Sequence, residues 1–218
     1  MISVLLPSRG RPSSLADSIG SLRVMADNPD RLEILVAADP DDPDTVEAAE
    51  RSRATCWVAP TRYGYHQLHE YVNHLAAMAS GEWLLLWNDD ARMLTPGWDS
   101  RVAEAPCGVL WPAHNDSPAL NIFPIVHRSM VDVLGHFSLS PHCDSWAQDV
   151  AAAVGAHHRI VVNVLHDRHD LTGGHDDETW RDAQAGYRTA DYHSPPMKAA
   201  RARDVEALRA AWTPGRTP

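Results

Sequence analysis

The sequence predicts an α/β fold, a mostly parallel central sheet with helices on both faces, and three observations carry that prediction. Strand-like and helix-like stretches alternate through the first half of the 218 residues, the order that builds parallel sheets. The run Trp83–Trp87 in "EWLLLWNDD" is apolar at every position, which fits a strand buried on both faces rather than one face of a sheet open to water. Four polar stretches, "PSRGRP", "ADPDD", "NDD" and "HDRHD", follow apolar runs. Ligands of open α/β sheets collect at such strand ends.

Taken in order, "ISVLLP" (Ile2 to Pro7) is a short apolar strand. The stretch "SSLADSIGSLRVMA" then places Leu15, Ile19, Leu22 and Met25 at helical spacing, with Ser13 or Ser14 as the expected N-cap. "LEILVAA" (Leu32 to Ala38) is a second strand that stops in the acidic, proline-broken loop "DPDDPDT". A helix from Thr45 and a strand near "TCWVAP" follow, and "YHQLHEYVNHLAAMAS" aligns Leu68, Val72, Leu75 and Met78 on one face before the buried run. In the second half "GVLWP", "NIFPIV" and "RIVVNVL" read as strands, and "RSMVDVLGHF" and "DSWAQDVAAAVGAHH" as helices. After Gly173 a polar segment leads to a helix in "MKAARARDVEALRAAW" and a "TPGRTP" tail.

Composition narrows the classes. Hydrophobic residues make up 44% of the chain, enough for a substantial core. The formal net charge of −10, without a long basic run, disfavours nucleic acid as a partner. Cys56, Cys107 and Cys143 show no CxxC or zinc spacing and read as reduced thiols. The first apolar run stops at Pro7, too short for a signal peptide or a membrane span, so the expectation is a cytoplasmic protein. Trp83 and Trp87 belong to the core, whereas Trp111 and Trp146 are candidates to stack on a sugar face.

The four polar stretches together describe a rim of arginines, carboxylates and histidines, the chemistry of a metal-bound diphosphate. A divalent ion such as Mg2+ or Mn2+ takes one or two protein carboxylates and completes its shell with phosphate oxygens. Asn88 and Asp90 fit that role, although Asn and Asp also suit a simple turn. "PSRGRP" is no P-loop, since it lacks Gly-Lys-Ser/Thr. Gly10 permits close backbone approach, and Arg9 or Arg11 offers a forked guanidinium to phosphate. Asp39 and Asp41 can accept hydrogen bonds from a base or sugar.

In this order the motifs resemble those of GT-A-fold, nucleotide-sugar-dependent glycosyltransferases of the family 2 type. The resemblance rests on "LLPSRGRP", on Asp39 in "ILVAADPDD", and on Asn73 and the triplet Asn88-Asp89-Asp90 in "YVNHLAAMASGEWLLLWNDD". It continues through "FPIVHRSMVDVLGHF" and through Asp144 in "HCDSWAQDVAAAVG", which stands eleven residues before Gly155. The resemblance implies a GT-A (Rossmann-like) domain over 1–180, with a nucleotide-binding half (1–100) and an acceptor half (101–180), then a C-terminal helical extension and tail (181–218). It implies a nucleotide-diphosphate sugar as donor, a hydroxyl acceptor, and Mn2+ or Mg2+ as cofactor. Pro7, Ser8, Arg9, Arg11, Asp39, Asn73, Asn88 and Asp89 would meet the nucleotide sugar. Asp90 would hold the metal with His166 or His169, and Asp144 would be the general base, with Asp149 as the other candidate. Here Asn88 replaces the first acid of the DxD pattern and Cys143 the Glu before the base. Asp144 is equally placed to cap the helix it opens.

Three other readings use the same residues. A nucleotidyltransferase would want a more glycine-rich first loop. A nucleotide-sugar-binding protein without turnover would follow from the loss of acid at Asn88. A metallohydrolase would need the His and Asp clusters to hold an ion without nucleotide.

Overall fold

The computed structural model describes residues 1–173, 178–189 and 192–213. The first half runs β1 (Ile2–Pro7), α1 (Pro12–Val24), β2 (Leu32–Ala38), α2 (Pro43–Arg51), β3 (Thr55–Val58), α3 (Leu68–Met78) and β4 (Trp83–Leu86). The second continues β5 (Ala91–Met93), α4 (Trp98–Ala103), β6 (Val109–His114), β7 (Ile125–His127), α5 (Arg128–Leu134), α6 (Cys143–Ala153), β8 (His157–His166), α7 (His169–Thr172), α8 (Glu178–Thr189) and α9 (Pro195–Ala211). One sheet holds all the strands in the order β3-β2-β1-β4-β7-β6-β8-β5. The strands β3, β2, β1 and β4 are parallel. Beyond β4 the sheet is mixed: β7 is antiparallel to β4 and β6, β6 is parallel to β8, and β5 is antiparallel to β8.

Register decides where the site forms. Ile2 lies opposite both Leu32 and Trp83, so β1, β2 and β4 finish together and deliver Ser8, Asp39 and Asn88 to one edge. The expected double burial of β4 is observed, with all four of its residues buried between the two helical layers. On β1, Leu5 faces a core shared with α3, α6 and α9, while Val4 and Leu6 face α1, Trp87 and Trp98. This alternation is the period-2 geometry of a strand covered on both sides.

Local chemistry moves two helix starts. Helix α1 begins at Pro12, with Arg11 as N-cap and neither Ser13 nor Ser14 in that role. Proline at the first helical position lacks only an N–H that would have no partner there. Likewise α2 starts at Pro43 instead of Thr45, because Asp42 caps it and accepts from Thr45 N at 3.2 Å. On α3, Val72 and Leu75 are buried, whereas Met78 at the last position is exposed.

Helix α9 packs on α5 and α6, burying Ala200 and Leu208. Buried Asp204 accepts from Trp146 Nε1 at 2.8 Å and lies 3.4 Å from His136 Nε2. Replacing Asp204 with Ala leaves the Trp146 N–H buried without an acceptor. The expected cost is about 1–3 kcal/mol, read as a lower midpoint in urea unfolding. Among the described residues no helix is long and apolar enough to cross a membrane.

Candidate active site

The loop after β1 divides its two arginines between different acids. Gly10 adopts φ +69°, a left-handed conformation in which a side chain would be strained, and its N–H donates to Asp42 at 2.7 Å. This turn sends Arg9 outward, where it contacts Asp39 at 3.0 Å and Asp41 at 2.6 Å. Arg11 turns inward, and its Nη1 is 3.2 Å from both Asp89 Oδ1 and Asp90 Oδ2. Both carboxylates and Arg11 are buried. Arg11 therefore sets one positive charge between the two acids.

The three residues of the N-D-D triplet differ in what occupies them. Asp89 accepts from Ser8 Oγ at 2.7 Å as well as from Arg11, so both of its oxygens are occupied. Burial, and then the neighbouring charge of Asp90, push its pKa up to about 6. Asp90 goes the other way: burial opposes its charge, but His166 and Arg11 outweigh that and hold it below the usual carboxylate range. Its Oδ1 is buried without a hydrogen-bond partner and faces His166 Nε2 at 3.3 Å. The Asn88 amide lies 3.3 Å from the same ring nitrogen.

This convergence fits a divalent cation. Metal–ligand distances of about 2.1 Å put two adjacent ligands of an octahedral ion about 3.0 Å apart, close to the Asp90–His166 separation. Asp90 and His166 would hold the ion, with the Asn88 amide beside them. Among the described residues no three His, Cys, Asp or Glu side chains gather around one such point, so remaining ligands would come from a bound diphosphate or water. The side chain of His169, at the start of α7, lies outside the described residues.

Strand pairing explains how His166 arrives. Ala91 on β5 is the register partner of His166 on β8, and Asp167 N donates to Asp90 O at 2.8 Å. The His166 ring sits between two carboxylates, Asp90 and, 3.4 Å from Nδ1, Asp116. Burial opposes its protonation, but Asp116 and Asp90 outweigh it and raise its pKa to about 9.

Pro7, Ser8, Arg9, Arg11, Asp39, Asn88, Asp89, Asp90, Asp144 and His166 all line one cleft. Asp39 receives the Tyr71 hydroxyl and Arg9, and Tyr71 OH in turn accepts from Tyr63 N at 2.8 Å. Asp144 sits in the first turn of α6, not at its N-cap, which is His142. Burial raises its pKa above the ordinary aspartate value. Gly155, at φ +70°, lets the chain turn left-handed just past the C-cap Val154.

Other expected residues lie outside that lining. Asn73 gives its amide to the backbone, donating to Ser138 O at 2.8 Å and accepting from Phe137 N at 2.8 Å. Asp149 is exposed, and it accepts from Tyr192 OH at 2.8 Å. Trp146 is a core residue with its N–H on Asp204. Trp111 stacks on His157 and lies under Arg159 at 3.4 Å. Neither tryptophan faces the cleft.

Sequence reasoning passed over Asp116, Tyr71, Arg62, Arg168 and Trp180. Arg62 pairs with Asp182 at 2.5 Å, drawing α8 to the cleft, where Trp180 and Asp182 complete the wall. Only "HND" after the β6 run carried a signal for Asp116, another acid at a strand end.

No protein-family model matches the chain, and no curated protein matches it in sequence. Solved structures do match its fold. S. aureus TarS aligns with TM-score 0.61 and 14% identity over 96% of this chain and 72% of that one. The mannosyltransferase PcManGT from Pyrobaculum calidifontis, in complex with GDP-Man and Mn2+, gives 0.58 and 15% over 97% and 76%. Glucosyl-3-phosphoglycerate synthase from Mycobacterium tuberculosis, in complex with Mn2+, UDP and phosphoglyceric acid, gives 0.61 and 16% over 86% and 77%. The chain has the GT-A fold of these glycosyltransferase structures.

Proposed function

We propose that the chain is a glycosyltransferase that moves a sugar from a nucleotide-diphosphate donor to a hydroxyl acceptor, with inversion. The observation that carries the reading is one cleft holding Asp90 Oδ1 without a hydrogen-bond partner, His166 3.3 Å away, and Asp144 in the same lining. Two of the solved structures of the same fold hold a nucleotide ligand with Mn2+, GDP-Man in one and UDP in the other. In this reading residues 1–100 supply Arg11, Asp39 and Asp90 for the donor, 101–180 supply Asp144 and His166, and 181–218 form the extension, with α8 crossing the boundary between the two and closing one wall.

Asp39 accepts from the base or ribose, displacing the Tyr71 or Arg9 contact it now makes. Arg11 keeps the buried Asp89 and Asp90 compatible with a negatively charged ligand. A divalent ion on Asp90 and His166, when bound, would offset charge on the departing diphosphate. The acceptor oxygen forms its bond to the anomeric carbon as the bond to the diphosphate oxygen breaks, and Asp144 takes the acceptor proton. Nucleoside diphosphate is the leaving group.

Calorimetric titration of UDP, GDP and TDP with and without Mn2+ tests the donor site. The expected result is that one nucleotide binds, that Mn2+ tightens it, and that Asp90→Ala removes the metal effect. Absence of binding for all three under both conditions would sink the proposal.

A further inference from the structure

Asp116 has no part in the steps above, yet the structure places it directly behind the candidate metal ligand. Its Oδ2 is 3.4 Å from His166 Nδ1 and 2.9 Å from Arg168 Nη1. Both His166 Nδ1 and Asp116 Oδ2 are buried without an aligned hydrogen bond, and each faces the other. The neighbouring Asn115 fixes the backbone of the same histidine. Its Oδ1 accepts from His166 N at 2.7 Å, and its Nδ2 donates to His166 O at 3.0 Å. The loop after β6 thus grips the end of β8 by backbone and by ring together. Arg168 lines the cleft and lies 5.5 Å over the Trp180 ring of α8.

Two ring nitrogens of one histidine cannot serve the same purpose. With Nε2 turned toward Asp90, an acceptor behind Nδ1 fixes the ring plane and keeps a proton on Nδ1, so that the Nε2 lone pair is free for a cation. Ring rotation would otherwise let either nitrogen face the cleft. A carboxylate also makes the imidazole a stronger donor to a metal than a backbone carbonyl would.

We propose that Asp116 is a positioning residue for His166: it selects Nε2 as the metal-facing nitrogen and, through Arg168, ties that choice to the cleft wall beside α8. This rests on the reading of Asp90 and His166 as a metal site.

The test uses the full chain and Mn2+ with saturating UDP, and in parallel with GDP. Metal affinity is measured by calorimetry, and coordinated imidazole by nitrogen modulation in pulsed EPR. Asp116→Ala is expected to weaken Mn2+ about 10–100-fold and to reduce the nitrogen modulation, while metal-free nucleotide binding stays unchanged. Asp116→Asn, which keeps an acceptor without the charge, is expected to fall between Ala and the parent. His166→Ala should abolish the modulation. Parent-like Mn2+ affinity and modulation in Asp116→Ala would overturn the proposal alone. No nitrogen modulation in the parent chain with either nucleotide would overturn the metal reading, and the proposal with it. If Asp116→Ala does not fold, Asp116→Asn decides: a loss of affinity supports the proposal and parent-like affinity refutes it.

Discussion

Asp144→Asn is expected to lower kcat by about 10²–10⁴-fold, the usual contribution of a general base, and to leave nucleotide affinity unchanged. The substitution is nearly isosteric. Asp144 Oδ1 accepts from Ser145 N at 2.7 Å, a role the Asn oxygen can keep, so the first turn of α6 survives while proton uptake is lost. A second consequence follows from burial. Because the folded environment raises the Asp144 pKa, the carboxylate is protonated at a higher pH than an ordinary aspartate, whose value is about 3.9. Activity in kcat/KM should therefore fall on acidification through a limb above that value, and the limb should be missing from whatever residual activity Asp144→Asn retains. The measurement is a pH profile of sugar transfer for parent and variant. Parent-like turnover in Asp144→Asn would remove the assignment, and a loss confined to Asp149→Asn would move it to the exposed acid now paired with Tyr192.

How much of this was legible beforehand follows from the range of the interactions. The strands at Ile2–Pro7, Leu32–Ala38 and Trp83–Leu86 were readable because burial writes an apolar run into each, broken only by Ser3 in the first and Glu33 in the second. Their shared edge was readable as well, since parallel strands in register finish together. The strand Ala91–Met93 and the helix Trp98–Ala103 were not seen. Three residues cannot show a period, and six span fewer than two helical turns. With them went the reason His166 meets Asp90, which is the pairing of β5 with β8 and has no local signature. Asn73 shows the converse. The family resemblance made it a nucleotide-sugar contact, whereas its amide bonds the backbone of the turn at 137–138. Helix α8 is polar enough to read as loop, and its link to the cleft comes from Arg62, far away in sequence.

Arg11→Met should be the most destabilising single change at the site. It keeps the apolar stem and removes the guanidinium that lies against both Asp89 and Asp90, while His166 still faces Asp90. Breaking a buried ion pair from one side costs about 3–5 kcal/mol, because the remaining charge stays in low dielectric without its partner. A domain of this kind is stable by only about 5–15 kcal/mol, so a large part of the total is at stake. The dependence on pH gives the loss a signature. Asp89 has a folded pKa of about 6, above the value of about 3.9 in an unfolded chain. The folded state therefore binds the proton more tightly, and this group's contribution to stability is present below about pH 4 and lost as pH rises through about 6. Without Arg11 the folded pKa of Asp89 climbs further, and the decline extends to higher pH. Urea unfolding of both proteins at pH 5 and pH 8 should show a gap between parent and Arg11→Met that widens at pH 8. A gap of the same size at both values would mean that the penalty is lost packing, and that the acidic pair does not depend on Arg11 for its charge.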